Sequence, residues 1–159
     1  MKKGFNIDIP GGGQLTLKYL LLDLNGTLGK DGILLPGVVE RLKILTDTFD
    51  IYVLTADTYG TAEKAFSGLP VKVHGLTSES GMIEKLQFMQ SLGKDICTAI
   101  GNGRNDVLML KSSALGICVI GGEGTAMEAI QNSDLIVNHI NDALDLFLNP
   151  KRLIATLRK

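Results

Sequence analysis

Short apolar runs alternate with amphipathic stretches along most of the chain, and this order constrains the fold more than any other feature. The runs lack the apolar–polar alternation of half-exposed strands, which is typical of strands buried on both faces of a parallel sheet. We therefore predict an α/β fold, a doubly wound parallel sheet covered by helices on both faces. The predicted elements, in order, are strand near 19–24, helix near 37–48, strand 51–55, helix 59–67, strand 71–74, helix 79–92, strand 96–100, helix 104–112, strand 115–120, helix 124–131, strand 135–138 and a C-terminal helical stretch broken at Pro150.

The first 18 residues do not follow this pattern. Residues 5–9 and 14–18 alternate apolar and polar side chains on either side of a glycine-rich turn at 10–13, which predicts a β-hairpin. No Gly-Lys-Ser/Thr follows the glycines, so a phosphate loop is disfavoured. We predict one domain over residues 1–159, with 1–18 as a hairpin extension that extends a sheet, covers a crevice or pairs with another subunit.

Charge and hydropathy disfavour several classes of partner. The 159 residues include 16 basic and 17 acidic side chains, so the net charge of -1 creates no overall field that favours nucleic acid. No apolar run approaches the roughly 20 residues that span a bilayer, and polar residues interrupt any signal-peptide core at the start. We expect a soluble, cytoplasmic protein with no membrane partner, and a homo-oligomer remains open.

The cysteines and histidines show no spacing that predicts chemistry. Cys97 and Cys118 lie on apolar segments without a Cys-x-x-Cys pattern, so we expect buried, inert thiols. His74 and His139 are isolated in the sequence, and we interpret them as structural or surface residues.

Two acidic loops follow predicted strands that lie far apart in the sequence. Asp23 ends the apolar run at 19–22, and the loop at 101–106 follows the run that ends at Ile100. The carboxyl ends of neighbouring parallel strands form the ligand crevice, so both loops are expected to meet around one cation and one phosphate. Asn102 and Asp106 offer the hard oxygen donors that Mg²⁺ prefers. The alternatives are Asx-turns, helix caps and, for Gly-x-Gly at 101–103, a dinucleotide loop that lacks its third glycine.

Thr55 and Lys85 lie between these two loops in the sequence and are further candidate site residues. Thr55 ends another apolar strand, where its hydroxyl and the N–H groups that follow, from Ala56 onward, are placed to bind a phosphate oxygen, although a helix cap is the usual role. Asp57 and Thr58 are interpreted as caps of the next helix. A lone helical lysine such as Lys85 is usually a solvated surface charge, but near Asp23 it would favour the ionised carboxylate and offset phosphoryl charge.

Taken in order, these segments resemble the four motifs of the haloacid dehalogenase (HAD) superfamily, and within it the phosphorylation domain of P-type ATPases. The likeness covers roughly residues 19–140. Within this range the chain is similar to the small proteins called soluble P-type ATPases. One loop and one helix separate Thr27 from Thr55, so no ATP-binding domain fits there, and no large cap fits before Lys85. The resemblance therefore implies a capless HAD-like Rossmannoid fold with an open site. The matching segments are Asp23-Leu24-Asn25-Gly26-Thr27-Leu28, Thr55-Ala56-Asp57, Lys85 and Gly101-Asn102-Gly103-Arg104-Asn105-Asp106.

The resemblance also implies a reaction. Asp23 would attack the phosphorus of a phosphorylated substrate, and water would hydrolyse the resulting aspartyl-phosphate, with Thr55 and Lys85 as the other catalytic residues. The implied ligands of Mg²⁺ are Asp23, the Asn25 backbone carbonyl, Asn102 and Asp106, and the implied phosphate-binding residues are Thr55, Ala56, Lys85, Asn25 and Gly26.

Two positions depart from the HAD pattern. HAD phosphatases usually carry an acid/base aspartate where this chain has Asn25, which cannot ionise, so we predict slow turnover or a long-lived phosphoenzyme. Asn102 replaces a common metal-binding aspartate, which predicts weaker metal binding. The alternative function is a catalytically impaired HAD fold used for binding or regulation.

Overall fold

The computed structural model describes residues 2–56, 61–77 and 79–159. The strands are β1 (Phe5–Ile9), β2 (Gly13–Leu17), β3 (Tyr19–Asp23), β4 (Gly29–Lys30), β5 (Ile33–Leu34), β6 (Asp50–Thr55), β7 (Val71–Gly75), β8 (Cys97–Gly101), β9 (Leu115–Val119) and β10 (Leu135–Val137). The helices are α1 (Val38–Leu45), α2 (Thr61–Ala65), α3 (Gly81–Leu92), α4 (Val107–Ser112), α5 (Met127–Gln131), α6 (Ile140–Leu148) and α7 (Pro150–Leu157), with 3₁₀ turns at Lys94–Ile96 and Arg104–Asp106. No helix in these described ranges is long and apolar enough to cross a membrane.

Six strands form a parallel sheet in the order β10-β9-β8-β3-β6-β7, which confirms the predicted doubly wound architecture. Successive side chains of β3 point to opposite faces, because a strand has a period of two residues. Leu20 and Leu22 join a core with α1, α6 and α7, whereas Leu21 joins a second core with α3 and α4. Every residue of β8 and β9 is buried, which is why these strands appear in the sequence as continuous apolar runs.

The predicted N-terminal hairpin is confirmed, and it lies at the amino-terminal end of the sheet. β1 and β2 pair antiparallel as a separate sheet, with Phe5 opposite Leu17. The Lys18 N–H donates to the Ile96 carbonyl just before β8, and the Lys18 carbonyl accepts from the Asp50 N–H at the start of β6. The hairpin therefore neither extends the main sheet nor covers the crevice at its other end.

A second hairpin, formed by β4 and β5, occupies a segment where the sequence predicted only a loop. Its turn contains Asp31 at φ 52° and Gly32 at φ 81°, and Ile33 beside the turn is 73% exposed. Strands of two residues are too short to show any periodicity. Other differences concern helix ends: the helix predicted from 124 begins at Met127, and the one predicted from 104 begins as a 3₁₀ turn. The caps assigned to Asp57 and Thr58 lie outside the described residues.

The cysteines and histidines have the structural roles expected from the sequence. Cys97 and Cys118 are fully buried free thiols, and burial, helped by the charge of Asp95, raises the pKa of Cys97 to about 12. The His74 ring stacks on a phenylalanine of α3 at 4.2 Å between centroids. His139 caps α6 by accepting a backbone N–H of its first turn.

Candidate active site

Three adjacent strands end at the same level and bring the predicted site residues to one edge of the sheet. Asp23, the last residue of β3, lies opposite Leu54 of β6, so Thr55 ends β6 one residue further on. On the other side, Leu22 lies opposite Ile100 of β8, which places Gly101 level with Asp23. The two acidic loops therefore meet, as the sequence predicted.

Lys85 joins the two carboxylates at this edge. Its Nζ donates to Asp23 Oδ1 at 2.8 Å and to Asp106 Oδ1 at 2.7 Å. Lys85 is only 1% exposed and lies within α3, which packs against α4 and the 3₁₀ turn at Arg104–Asp106. Lys85 is therefore not the solvated surface charge that a lone helical lysine usually is, and its catalytic role stays a prediction.

Asp106 uses both carboxylate oxygens to hold the loop at 101–106. Oδ1 accepts from Lys85, and Oδ2 accepts from the backbone N–H groups of Asn102 and Gly103, each at 3.0 Å. A Cβ at Gly101 would collide with this carboxyl group, so the tight turn requires glycine. Asp106 thus orients the loop, and its predicted role as a direct metal ligand stays a prediction.

Asn102 lies between the end of β3 and the loop at 120–126. The Thr27 Oγ1 is 3.2 Å from Asp23 Oδ2 and 3.1 Å from Asn102 Oδ1, so these two oxygens face the same hydroxyl. Asn102 Nδ2 donates to the Gly124 carbonyl at 2.9 Å. Gly26, at φ 81°, packs so closely on the Asn102 amide that a Cβ there would collide with it.

The buried cluster carries one uncompensated negative charge when Asp23, Asp106 and Lys85 are all ionised. Burial raises the pKa of Asp23 to about 7, and the charge of Asp106 adds to this, whereas Lys85 and Thr27 act in the opposite direction. Burial acts to lower the pKa of Lys85, but the two carboxylates and their hydrogen bonds outweigh it and raise that pKa. A cation beside Asp23 would remove the charge imbalance.

The oxygen donors at this point fit Mg²⁺. They are Asp23 Oδ2 and Asn102 Oδ1, which face the same hydroxyl and are hard ligands of the kind that Mg²⁺ takes together with water. The Asn25 backbone carbonyl stays a predicted ligand. Within the described residues, no group of three or more His, Cys, Asp or Glu side chains could hold a metal. A site here would therefore use at most two carboxylates, Asp23 and Asp106, together with neutral oxygens, and its affinity is expected to be modest.

The chain is similar in sequence to two kinds of protein, and no protein-family model matches it. It is 52% identical over 83 residues to the uncharacterized protein MJ0073 of Methanocaldococcus jannaschii, a match that covers 50% of this chain and 89% of that protein. It is 27% identical over 124 residues to the copper-transporting ATPase PAA1, chloroplastic, of Arabidopsis thaliana, covering 77% of this chain and 13% of the ATPase.

The fold is similar to that of solved hydrolases. A putative HAD superfamily (subfamily III A) hydrolase from Legionella pneumophila superposes with a TM-score of 0.70 at 16% identity, covering 89% of this chain and 87% of that one. The chain has the fold of the HAD hydrolases. The 3-deoxy-D-manno-octulosonate 8-phosphate phosphatase from Moraxella catarrhalis, solved with a magnesium ion, a phosphate ion and a KDO molecule, gives a TM-score of 0.63 at 15% identity, covering 89% and 94% of the two chains. At such identities these structures show the HAD fold alone.

The other residues of the segments that resemble HAD motifs are placed as follows. Thr55 is buried, and its carbonyl accepts from the Leu76 N–H at 2.8 Å, while Ala56 is exposed beside it. The Gly26 N–H donates to the Gly29 carbonyl at 2.8 Å, so this N–H is already used within the loop at 23–28. Asn25, at the position of the usual HAD acid, is exposed to solvent. Phosphate binding by these residues stays a prediction.

Sequence reasoning gave no site role to the loop at 120–126, which contacts both the loop at 23–28 and the loop at 101–106 and forms a third wall of the candidate site. A Cβ at Gly121 would collide with the Gly26 carbonyl, and the Lys30 side chain lies across Gly122. The available signal was its glycine-rich composition together with the threonine at 125. Nothing local in the sequence indicates that this loop contacts the loops at 23–28 and 101–106.

Proposed function

We propose that this protein is a HAD-type, Mg²⁺-dependent phosphohydrolase that works through an aspartyl-phosphate on Asp23. The observation that carries the proposal is the buried contact of Lys85 with Asp23 and Asp106, beside the oxygens of Asn102 and Thr27. The fold alone does not decide the function, because one scaffold hosts many activities. The proposal rests on the chemistry of this cluster.

In the proposed reaction, a carboxylate oxygen of Asp23 attacks the phosphorus of a phosphomonoester. The bond to the leaving oxygen breaks, and that oxygen takes a proton from solvent. Water then attacks phosphorus, releases inorganic phosphate and restores the Asp23 carboxylate. An anionic nucleophile approaches an anionic substrate only when nearby cations offset the repulsion, and Lys85 supplies one such charge.

The chain's other residues would hold and orient the reacting groups. Mg²⁺, bound by Asp23, the Asn25 carbonyl and the loop that carries Asn102 and Asp106, would supply further positive charge and stabilise phosphoryl oxygens. Asp106 keeps Lys85 and the loop at 101–106 in place. Thr55 and Ala56, at the end of β6, are proposed to bind phosphate oxygens.

The proposed rate is low because Asn25 cannot exchange a proton with the leaving group or with the attacking water. General acid–base catalysis typically contributes about 10²–10⁴-fold. Asn25 is exposed, so solvent reaches this point and can deliver the proton slowly. The phosphoenzyme is therefore expected to accumulate during turnover. The phosphatase from Moraxella catarrhalis suggests a phosphomonoester as substrate class, and the proposal goes no further than that.

The test is hydrolysis of para-nitrophenyl phosphate and of acetyl phosphate with Mg²⁺ or with EDTA, and mass spectrometry of the protein during turnover. We expect Mg²⁺-dependent hydrolysis and a phosphate adduct on the peptide that contains Asp23. Asp23→Asn should abolish both, whereas Asp8→Asn, on the exposed face of β1, should change neither.

The other outcomes of this test show which part of the proposal fails. An adduct without turnover would leave the aspartyl-phosphate in place and remove the hydrolytic step. If there is neither adduct nor turnover in Mg²⁺, the proposal is wrong, and the two amides at 25 and 102 would favour the binding or regulatory module.

A further inference from the structure

The loop at 120–126 is held in shape by one hydroxyl group. Thr125 Oγ1 donates to the Val119 carbonyl at 2.9 Å and accepts from the Gly121 N–H at 3.1 Å. The Gly124 N–H also donates to the Gly121 carbonyl at 3.1 Å. The Thr125 hydroxyl therefore joins Gly121 and Thr125, the two ends of this turn, to the end of β9. These bonds also fix the direction of the Gly124 carbonyl.

This loop determines how the Asn102 side chain is turned. The Gly124 carbonyl accepts from Asn102 Nδ2, and the Ala126 N–H donates to the Asn102 carbonyl, both at 2.9 Å. A carbonyl oxygen can only accept, so the amide NH₂ must face Gly124 and the amide Oδ1 must face the opposite way. On that side Oδ1 lies beside the Thr27 hydroxyl and shares it with Asp23.

The hydrogen bond between Asn102 and the Gly124 carbonyl favours an amide over a carboxylate at position 102. An aspartate there would direct one carboxylate oxygen at the Gly124 carbonyl oxygen, where two acceptors meet without a donor. It would also add a third carboxylate to a buried cluster that already carries excess negative charge with Asp23, Asp106 and Lys85. The close packing of Gly26 on the Asn102 amide and of Gly121 on the Gly26 carbonyl limits rearrangement.

We propose that Thr125 is a positioning residue of the cation site. Through the Gly124 carbonyl it orients Asn102 so that the amide oxygen points to the cation, and the site is built for this neutral ligand. The inference rests on the proposed function, because it assumes that Asp23 and Asn102 bind Mg²⁺. Groups that orient a metal ligand typically contribute about 10–100-fold to metal affinity.

The first experiment measures the dissociation constant of Mg²⁺ by isothermal titration calorimetry on the whole chain. Thr125→Val keeps the shape of the side chain and removes the hydroxyl, and we expect roughly 10-fold weaker binding, with Thr125→Ser restoring the parent value. Thr98→Val is the matched control, because the buried Thr98 hydroxyl donates to the Leu115 carbonyl at 2.9 Å near the start of β8. It should lower stability without changing Mg²⁺ affinity.

The second experiment does not depend on the Thr125 variants. Asn102→Asp should lower the midpoint of thermal unfolding in EDTA at pH 8, and it should increase the rise in that midpoint when Mg²⁺ is added. A variant as stable as the parent in EDTA would show that the loop does not require an amide, which overturns the second half of the proposal.

The outcomes also separate this inference from the proposed function. If the parent binds Mg²⁺ and hydrolyses phosphomonoesters but Thr125→Val binds Mg²⁺ equally well, Thr125 has no positioning role and the proposed function stands. If the parent binds no Mg²⁺, both are wrong. If Thr125→Val and Thr98→Val weaken binding to the same extent, the effect reflects stability alone and the inference is overturned.

Discussion

Replacing Lys85 with methionine removes the only positive charge between Asp23 and Asp106 in the described cluster, while it keeps an unbranched side chain that is one atom shorter. Lys85 Nζ lies 2.8 and 2.7 Å from the two carboxylates and is nearly inaccessible to solvent. At an effective dielectric constant of about 20, unit charges about 3 Å apart attract by about 5–6 kcal/mol. Desolvation offsets most of this attraction, and removal of one partner from a buried ion pair costs about 3–5 kcal/mol.

This cost corresponds to a measurable change in the midpoint of thermal unfolding. For a chain of this size, a loss of about 3–5 kcal/mol lowers the midpoint by roughly 6–20 °C. We expect this decrease for Lys85→Met at pH 8 in EDTA, where Asp23 and Asp106 are left without a cation. At pH 5 the decrease should be smaller, because Asp23 then takes up a proton and the repulsion is relieved.

The control is Lys111→Met, which removes an exposed lysine from α4. It should change the midpoint by no more than about 1–2 °C, since exposed charges contribute little to stability. Added Mg²⁺ should stabilise Lys85→Met more than the parent, because the cluster then has two uncompensated charges. If Lys85→Met and Lys111→Met have the same midpoint at pH 8, the buried lysine does not hold the two carboxylates together.

Three further predictions concern the same site. Asn25→Asp should speed the hydrolysis of acetyl phosphate by at least about 10-fold, and an unchanged rate would show that the missing acid does not limit turnover. Gly26→Ala should lower the midpoint of thermal unfolding and weaken Mg²⁺ binding measured by calorimetry, because the new Cβ displaces the Asn102 amide; normal affinity would contradict the packing. The folded protein holds the Asp23 proton up to a pKa of about 7, so its stability without metal should fall as pH rises from about 4 to 7. The gain in midpoint on adding Mg²⁺ should rise over the same interval, and an equal gain at pH 5 and pH 8 would count against Asp23 as a ligand.

The sheet was predictable from the sequence because its central strands, β3, β8 and β9, are buried on both faces. The predicted strand near 19–24 is β3, and the run at 115–120 is β9 with one residue fewer. The short β4 and β5 were missed, because a strand of two residues shows no pattern of side chains. Their pairing depends on the turn at Asp31 and Gly32, which places two successive residues at positive φ.

The residues that lie at the site could be predicted from the ends of the strands, but the hydrogen bonds and burial that join them could not. Asp23 and the loop at 101–106 each follow an apolar run, so parallel strands bring them together. The burial of Lys85 depends on how α3 packs against α4 and the 3₁₀ turn at Arg104–Asp106. A single lysine in a helix carries no local sign of burial. The contact between Asn102 and Gly124 likewise joins two loops through the fold, which no spacing in the sequence reveals.

The position of the N-terminal hairpin has a practical consequence for experiments on surfaces. The Lys159 N–H donates to the Pro10 carbonyl in the hairpin turn, so the last residue and the hairpin lie together at the amino-terminal end of the sheet. The length of β3, roughly 16 Å for five residues, separates this end from Asp23. An affinity tag or a biotin linker placed after Lys159 should therefore immobilise the molecule with its crevice turned toward the bulk solution, where substrate and product exchange freely.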